Sequence, residues 1–265
     1  MQIASRVSMW SGARTPTAKD YVQSGLIAMW DGIENAGWGV HDASATVWKD
    51  LISGVTLKIQ SASHWENDAL FIDRAASRVS TNVSGTAFYT ALSNAVDART
   101  LTIQNVWNLY EYGTSAGTGL GERVRRVMGP AGAIYGFLCP ITATHVYLNS
   151  NGSGSGYYWT SNINIGDVAG KHSLTAAFAP SGVRMYASLY HNATLLQNKV
   201  LPTSQVADED VSFSGLKSAT WYMGAFSNIK NIVDEIHCFR MYSRDLTAAE
   251  IAANYAIDKA RFGLP

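Results

Sequence analysis

The sequence has little charge. Asp, Glu, Lys and Arg make up only 15% of the 265 residues, and the 20 basic and 20 acidic side chains cancel. The one dense basic segment is Arg123-Val124-Arg125-Arg126. Proteins that bind nucleic acid usually present a basic face or stripe, so the composition argues against a nucleic-acid partner.

Cysteine and long apolar runs are also scarce. The two cysteines, Cys139 and Cys238, lie in apolar surroundings and outside any C-x-x-C motif, so a zinc or redox role lacks support. We expect buried free thiols, with a disulfide between them as the alternative. No run reaches the ~18 apolar residues of a membrane span, and Pro140 interrupts the nearest candidate, residues 131–143. The first ten residues lack the apolar core of a secretory signal, so we expect synthesis without Sec export.

Glycine and large aromatic residues, by contrast, are abundant. The chain contains 23 Gly, 8 Trp and 13 Tyr, and 47% of it is hydrophobic, which suits a sheet protein with a large core and many tight turns. Apolar and polar residues alternate in residues 173–178 and 183–190, and the turn at 180–182 between them predicts a hairpin. Residues 101–107 also have the pattern of a strand, and Asn105, which breaks the alternation, predicts a β-bulge or a register change there. Further strands are predicted at residues 25–32, 55–59, 69–72, 133–138, 145–148 and 220–225, and in the first part of residues 233–247.

The C-terminal segment has the strongest helix pattern. Thr247 and Glu250 form a T-x-x-E capping box, and Gly263 is a stop signal. The helix between them is predicted to bury one apolar stripe, formed by Ala248, Ile251, Tyr255 and Phe262. A second, shorter helix is possible at residues 85–95. Many strands without βαβ alternation predict an all-β sandwich.

Both ends of the chain resemble one known family. Residues 239–247, followed by Glu250-Ile251, resemble the closing strand and helix of laminin G-like domains, which belong to the concanavalin A-like lectin/glucanase superfamily. Residues 25–32 and 47–54 resemble the opening of the same domains, Gly-Leu-x-x-x-Trp-x-Gly followed by Trp-x-Asp-x-x-Gly. Asp245 departs from the pattern in a turn, where a small residue is more usual. The resemblance implies a two-sheet antiparallel jelly-roll β-sandwich with a short C-terminal helix, over residues 21–265, preceded by an N-terminal arm at residues 1–20.

The acidic residues do not favour catalysis. Glycoside hydrolysis needs two carboxylates that flank the bond, and the related glucanases carry three acids on alternate positions of one strand. Asp208-Glu209-Asp210 lies in a polar segment, Asp234 and Glu235 are adjacent and point to opposite faces, and Glu66 and Asp68 lack a third acid. We therefore predict a protein that is not an enzyme.

Aromatic residues in loops give the best binding signal. Sugar rings pack their C–H faces on aromatic rings, while polar groups take the hydroxyls. The alternative for each ring is a place in the core. The candidate ligand-binding residues are Tyr157, Tyr158, Trp159, Trp38, His41 and Asn151. The resemblance also implies a possible Ca²⁺ at the rim, with Asp31, Asn35 and Asp42 as ligands, although turn formation by Asp and Asn is the favoured explanation of these residues.

These observations favour a non-catalytic, lectin-like module that binds a glycan or another surface ligand. The N-terminal arm could contact other copies or virion proteins, and no membrane insertion is expected. Lectin-like sandwiches usually act outside cells, whereas this sequence lacks an evident secretion signal. A virion protein would meet both conditions, because it assembles in the cytoplasm and is released by lysis. Short basic arms before such domains also resemble gut bacteriophage structural proteins, so a virion or extracellular location is expected. A purely structural assembly protein and a secreted carbohydrate-binding relative of glycoside hydrolases are the alternatives.

Overall fold

The computed structural model describes most of the chain in segments. The described residues are 14–59, 63–72, 78–109, 125–130, 139–140, 145–151, 158–167, 169–181, 184–201, 217, 220–225 and 235–265. The strand predicted at residues 133–138 and the acidic run at Asp208 to Asp210 lie outside them.

Strands dominate the described residues. They are β1 (Leu26–Asp31), β2 (Val47–Lys49), β3 (Thr56–Lys58), β4 (Ser63–Trp65), β5 (Leu70–Ile72), β6 (Arg78–Asn82), β7 (Leu101–Leu109), β8 (Arg125–Pro130), β9 (Cys139–Pro140), β10 (His145–Asn151), β11 (Tyr158–Asn164), β12 (Gly170–Ser181), β13 (Arg184–His191), β14 (Thr194–Leu201), β15 (Thr220–Ala225) and β16 (Glu235–Tyr242). The helices are α1 (Ala87–Asp97) and α2 (Ala248–Phe262), and a single 3-10 turn covers Ala18–Asp20.

The strands form antiparallel sheets, which confirms the predicted jelly-roll sandwich. The larger sheet has the order β14-β13-β12-β7-β16-β5-β4, and β1 also pairs with β16. Two further sheets have the orders β2-β3-β6-β15-β8 and β11-β10-β9, and side chains of β2, β3 and β15 share the main core with the larger sheet. The predicted hairpin is present as β12 and β13, in register from Leu174 opposite His191 to Ser181 opposite Arg184. The first and last strands of the resemblance, β1 and β16, are neighbours.

The main core lies between the sheets and is closed by α1. Phe88 of α1 is fully buried, with its ring 5.7 Å from that of Trp30 on β1 and 5.5 Å from that of Trp221 on β15. Both contacts are edge-to-face, the favoured arrangement of aromatic rings. The side chain of Thr86 accepts a hydrogen bond from the Tyr89 amide and so begins the helix. The shorter predicted helix therefore exists, and it joins the two sheets through one ring.

The outer face of the larger sheet is covered as well. Every residue of β7 and of β16 is buried, because α2 and the segment before β1 pack on the side away from the main core. This double burial explains why Asn105 interrupts the alternation without a bulge. The register of β7 with β12 is continuous through Asn105, and the irregularity lies instead in β16, between Ile236 and Cys238. The predicted bulge position was wrong.

Helix α2 begins and ends as predicted but buries a different face. The capping box of Thr247 and Glu250 is formed, and Gly263 adopts the left-handed conformation with φ 66°. The predicted stripe was wrong at Ala248, which is exposed. The buried face consists of Ile251, Asn254, Asp258, Arg261 and Phe262. Three of these five residues are polar, because the surface beneath the helix is polar too.

The described part of the N-terminal arm packs on the domain. Ala18 is fully buried in the same cluster as Tyr21, Met29 and Phe262. Residues 1–13 of the predicted arm lie outside the described residues. Cys238 is a buried free thiol. Within the described part of the chain, no helix combines the length and apolar character needed to cross a bilayer.

Candidate functional site

The loop after β1 carries Trp38 on a tight, exposed turn, which we call the Trp38 turn (residues 36–40). The Ala36 amide donates to the Val40 carbonyl at 3.2 Å, and the Val40 amide donates to the Gly37 carbonyl at 2.9 Å. Gly39 has φ 69°, a left-handed conformation that favours glycine. Trp38 is 36% exposed and Val40 is 51% exposed. The turn therefore presents an indole and an apolar side chain to solvent on a hydrogen-bonded backbone.

A buried carboxylate holds this turn in place. Oε2 of Glu34 accepts from the Gly39 amide at 2.7 Å, and its Oε1 accepts from the Ala18 amide at 2.8 Å. Arg261 of α2 donates to the same Oε1 at 3.1 Å. Glu34 is only 5% exposed, so these charge-assisted bonds form away from bulk water. They connect the Trp38 turn, the N-terminal segment and α2.

His41 follows the turn and packs on a second tryptophan. Its Nδ1 lies 3.1 Å from the Gly32 carbonyl and, since a carbonyl only accepts, this nitrogen donates. The His41 ring meets that of Trp65 edge-to-face at 6.5 Å, and Trp65 Nε1 donates to the Ala45 carbonyl at 2.9 Å. Trp38 and His41 are thus brought together on one loop.

The three proposed calcium ligands all take part in hydrogen bonds of the protein. The Asp31 carboxylate is fully buried and receives both terminal nitrogens of Arg261, at 2.7 and 3.0 Å. The side-chain amide of Asn35 donates to the Asp42 carbonyl and accepts from the Asp42 amide. The Asp42 carboxylate accepts from the Ser44 hydroxyl. The described residues hold no group of three or more His, Cys, Asp or Glu side chains placed to bind a metal ion. Calcium binding remains a prediction.

The other candidate residues lie on the β10–β11 hairpin. Asn151 pairs with Tyr158, and Ser150 pairs with Trp159, at the end of the two strands. Tyr157 lies outside the described residues. The hairpin thus brings Asn151, Tyr158 and Trp159 together along the backbone, and their role in binding remains a prediction.

Sequence reasoning missed a buried polar layer beneath α2. Arg240 of β16 donates to both oxygens of Asp258, at 2.6 and 2.7 Å, and both side chains are fully buried. Tyr21 donates its hydroxyl to Asp258 at 2.7 Å, and its ring lies 3.9 Å from the Arg240 guanidinium. Asn254 continues the layer by donating to Gln104 at 2.7 Å. The signal was present as Asn254, Asp258 and Arg261, which share one helical face by spacing.

A second charged cluster surrounds His237 at the start of β16. Its Nδ1 lies 3.3 Å from Asp68 and its Nε2 lies 3.3 Å from Glu235. Lys171 contacts Asp68 at 3.4 Å, and Asn108 donates to Glu235 at 2.9 Å. Burial alone would lower the pKa of His237, but the neighbouring carboxylates of Asp68 and Glu235 outweigh it and raise the pKa above 6.5. Glu235 and Asp68, two of the acids weighed for hydrolysis, thus surround one buried imidazole.

The raised pKa of His237 predicts a pH-dependent contribution to stability. Folding favours the protonated ring, so this contribution is complete below pH 6.5 and is lost as the pH rises through the folded pKa. The loss in melting temperature caused by His237→Gln should therefore be largest near pH 5.5 and shrink as the pH rises. Melts of parent and variant from pH 5.5 to 9 measure this difference. His64→Gln, at an exposed histidine, is the control, and a His237→Gln difference that stays constant with pH would contradict the prediction.

Comparison with solved structures supports the sandwich. Trypanosoma rangeli sialidase in complex with sialic acid superimposes with a TM-score of 0.54 and 14% identity, over 93% of this chain and 34% of the sialidase. The botulinum neurotoxin serotype D binding domain gives a TM-score of 0.61 and 13% identity, over 88% of this chain and 51% of that structure. The receptor binding domain of botulinum neurotoxin C/D mosaic serotype gives 0.59 and 14%, over the same shares.

These similarities establish the fold alone. The chain spans about a third of the sialidase and about half of each neurotoxin structure. No protein-family model matches the sequence. No curated protein matches it at a significant level. The shared feature is the β-sandwich, so any function has to be argued from this chain's own residues.

Proposed function

We propose that this protein is a non-catalytic, lectin-like module that binds a glycan or another surface ligand. The observation that carries the proposal is the exposed indole of Trp38 on a turn fixed by the buried Glu34. Because the backbone that carries this ring is already held in place, less conformational freedom is lost when a sugar stacks on the indole. Val40 and His41 extend the same surface. The neurotoxin structures that share the fold are binding domains, which agrees with this role.

Two of the described acids are poorly placed for hydrolysis. A glycosidase needs one carboxyl group to protonate the leaving oxygen and another to act as base or nucleophile. Glu235 is 7% exposed and is held by Asn108 and His237, and Asp31 is fully buried against Arg261. Both carboxylates are therefore occupied by protein partners, and a substrate could not reach them directly.

The proposal also includes where the protein acts. The sequence resemblance to laminin G-like domains and to gut bacteriophage structural proteins supports a virion-associated adhesion or structural role. The β10–β11 hairpin, with Asn151, Tyr158 and Trp159, is a second candidate contact surface in this proposal, and Ca²⁺ would act at the rim if it binds.

Replacing Trp38 with alanine should weaken glycan binding without unfolding the protein. A stacked aromatic ring contributes about 0.5–1.5 kcal/mol, which corresponds to about two- to tenfold in affinity. Because the ring is partly exposed, the melting temperature should stay close to that of the parent. A glycan array followed by titration of the best ligand, beside a thermal melt, measures both quantities.

Two variants make this test specific. Ile52→Ala removes another partly exposed apolar side chain and should leave binding unchanged. Trp159→Ala compares the hairpin with the Trp38 turn. Binding that is unchanged in Trp38→Ala but lost in Trp159→Ala would move the site to the hairpin. A parent that binds no glycan would overturn glycan binding as the function of this site.

A further inference from the structure

The N-terminal segment places a cation beside the exposed indole. Nζ of Lys19 lies 5.6 Å from the centre of the Trp38 ring, within the range of a cation–π contact. Lys19 belongs to the 3-10 turn Ala18–Asp20, whose first residue is fully buried. The lysine therefore extends from a fixed backbone position next to the Trp38 turn.

The pairing of these two side chains is built into the fold by Glu34. One carboxylate oxygen of Glu34 accepts from the amide next to Lys19, and the other accepts from the amide next to Trp38. A single buried side chain thus sets the spacing of the cation and the ring. Arg261, which also pairs with Asp31, donates to the Ala18-bonded oxygen of Glu34, so this carboxylate is held by hydrogen bonds that do not involve the Lys19 side chain.

Lys19 has no carboxylate within ion-pair distance among the described residues. Its neighbour Asp20 accepts from the guanidinium of Arg14 at 2.9 Å and from the Thr17 amide at 2.7 Å. Asp42, further along the loop, accepts from Ser44. The local acids are therefore engaged elsewhere, and the Lys19 ammonium faces solvent beside an apolar ring.

We infer that Lys19 is a specificity-determining residue of this site and selects ligands that carry an anionic group next to an apolar face. A carboxylate or sulfate on a sugar would pair with the ammonium, while the C–H face of the same or the next ring contacts Trp38 and Val40. Lys19, from the segment before β1, is then part of the binding site. The inference rests on the proposed function, since it assumes that the Trp38 turn is where the ligand binds.

An array with neutral, carboxylated and sulfated glycans tests this inference. The parent should prefer either the carboxylated or the sulfated glycans. The preferred class shows which anionic group pairs with Lys19. Lys19→Gln should weaken binding of the anionic glycans about two- to fivefold, the range of an exposed ion pair, and leave neutral glycans unaffected. Lys19→Arg should retain the preference, because it keeps the charge. Affinity for anionic glycans should fall with added salt in the parent and fall less in Lys19→Gln.

The outcomes separate the two claims. Lys259→Gln, at an exposed lysine of α2, is the matched control and should bind like the parent. Trp38→Ala should weaken neutral and anionic glycans alike. If Trp38→Ala weakens binding but Lys19→Gln leaves the ratio of anionic to neutral affinity unchanged, this inference fails and the proposed function stands. If neither variant changes binding, this inference fails and the Trp38 turn is not the binding site; Trp159→Ala then decides whether the hairpin is.

Discussion

Replacing Asp258 with alanine should lower the free energy of unfolding by about 3–5 kcal/mol, the usual cost of leaving one member of a buried ion pair alone. Arg240 would lose both hydrogen bonds to the carboxylate while remaining fully buried between the sheet and α2. Tyr21 and Ser173 would lose the acceptor of their hydroxyl groups. Urea unfolding followed by tryptophan fluorescence measures the change.

Two further variants establish the cause. Asp245→Ala removes an exposed acid just before α2 and should change stability by less than about 0.5 kcal/mol. The double variant Arg240→Met, Asp258→Leu replaces both charges with apolar groups and should lose less stability than Asp258→Ala alone, because no charge remains unpaired. An Asp258→Ala protein as stable as the parent would show that Arg240 finds another partner.

The sequence predicted what depends on local chemistry. The capping box at Thr247, the left-handed Gly263 and the hairpin of β12 and β13 each follow from a few adjacent residues, and the structure contains all three. The sandwich followed from the pattern of strands and turns. The Asn105 bulge was predicted wrongly because alternation was assumed, whereas β7 is buried on both faces.

The polar layer beneath α2 could not be predicted with the same ease. An amphipathic helix is normally read by its apolar residues, and Asn254, Asp258 and Arg261 look like a solvent-facing set by that rule. Two of them are buried against partners more than a hundred residues away in the sequence. Asn254 donates to Gln104, and Arg261 donates to Asp31. Helical spacing gave the shared face, but only the fold shows what lies opposite.

In the candidate site, too, some residues could be found from the sequence and others only from the fold. Trp38 and His41 were found from an aromatic, glycine-rich loop, since exposure of a ring in such a loop is a local property. Glu34 and Lys19 were not found, because their roles depend on how the N-terminal segment meets the Trp38 turn. A buried acid that joins two surface segments has no motif of its own.

Replacing Phe88 with alanine should also cost about 3–5 kcal/mol of unfolding free energy, the range for truncating a buried phenylalanine. The ring fills the space between Trp30 on one sheet and Trp221 on the other, at 5.7 and 5.5 Å. Its removal would leave a cavity where α1 joins the sheets, and close packing on both sides limits collapse. The helix itself should persist, because its N-cap at Thr86 is untouched and alanine favours helix.

Calorimetry and near-ultraviolet circular dichroism measure this effect. The dichroism of the buried tryptophans should change, since Trp30 and Trp221 lose the ring that contacts them both, while far-ultraviolet helix signals should hold. Thr90→Ala, at an exposed position of the same helix, should stay within about 0.5 kcal/mol of the parent. A Phe88→Ala protein with parental stability and an unchanged near-ultraviolet spectrum would mean that Phe88 does not join the sheets, and that α1 packs on only one of them.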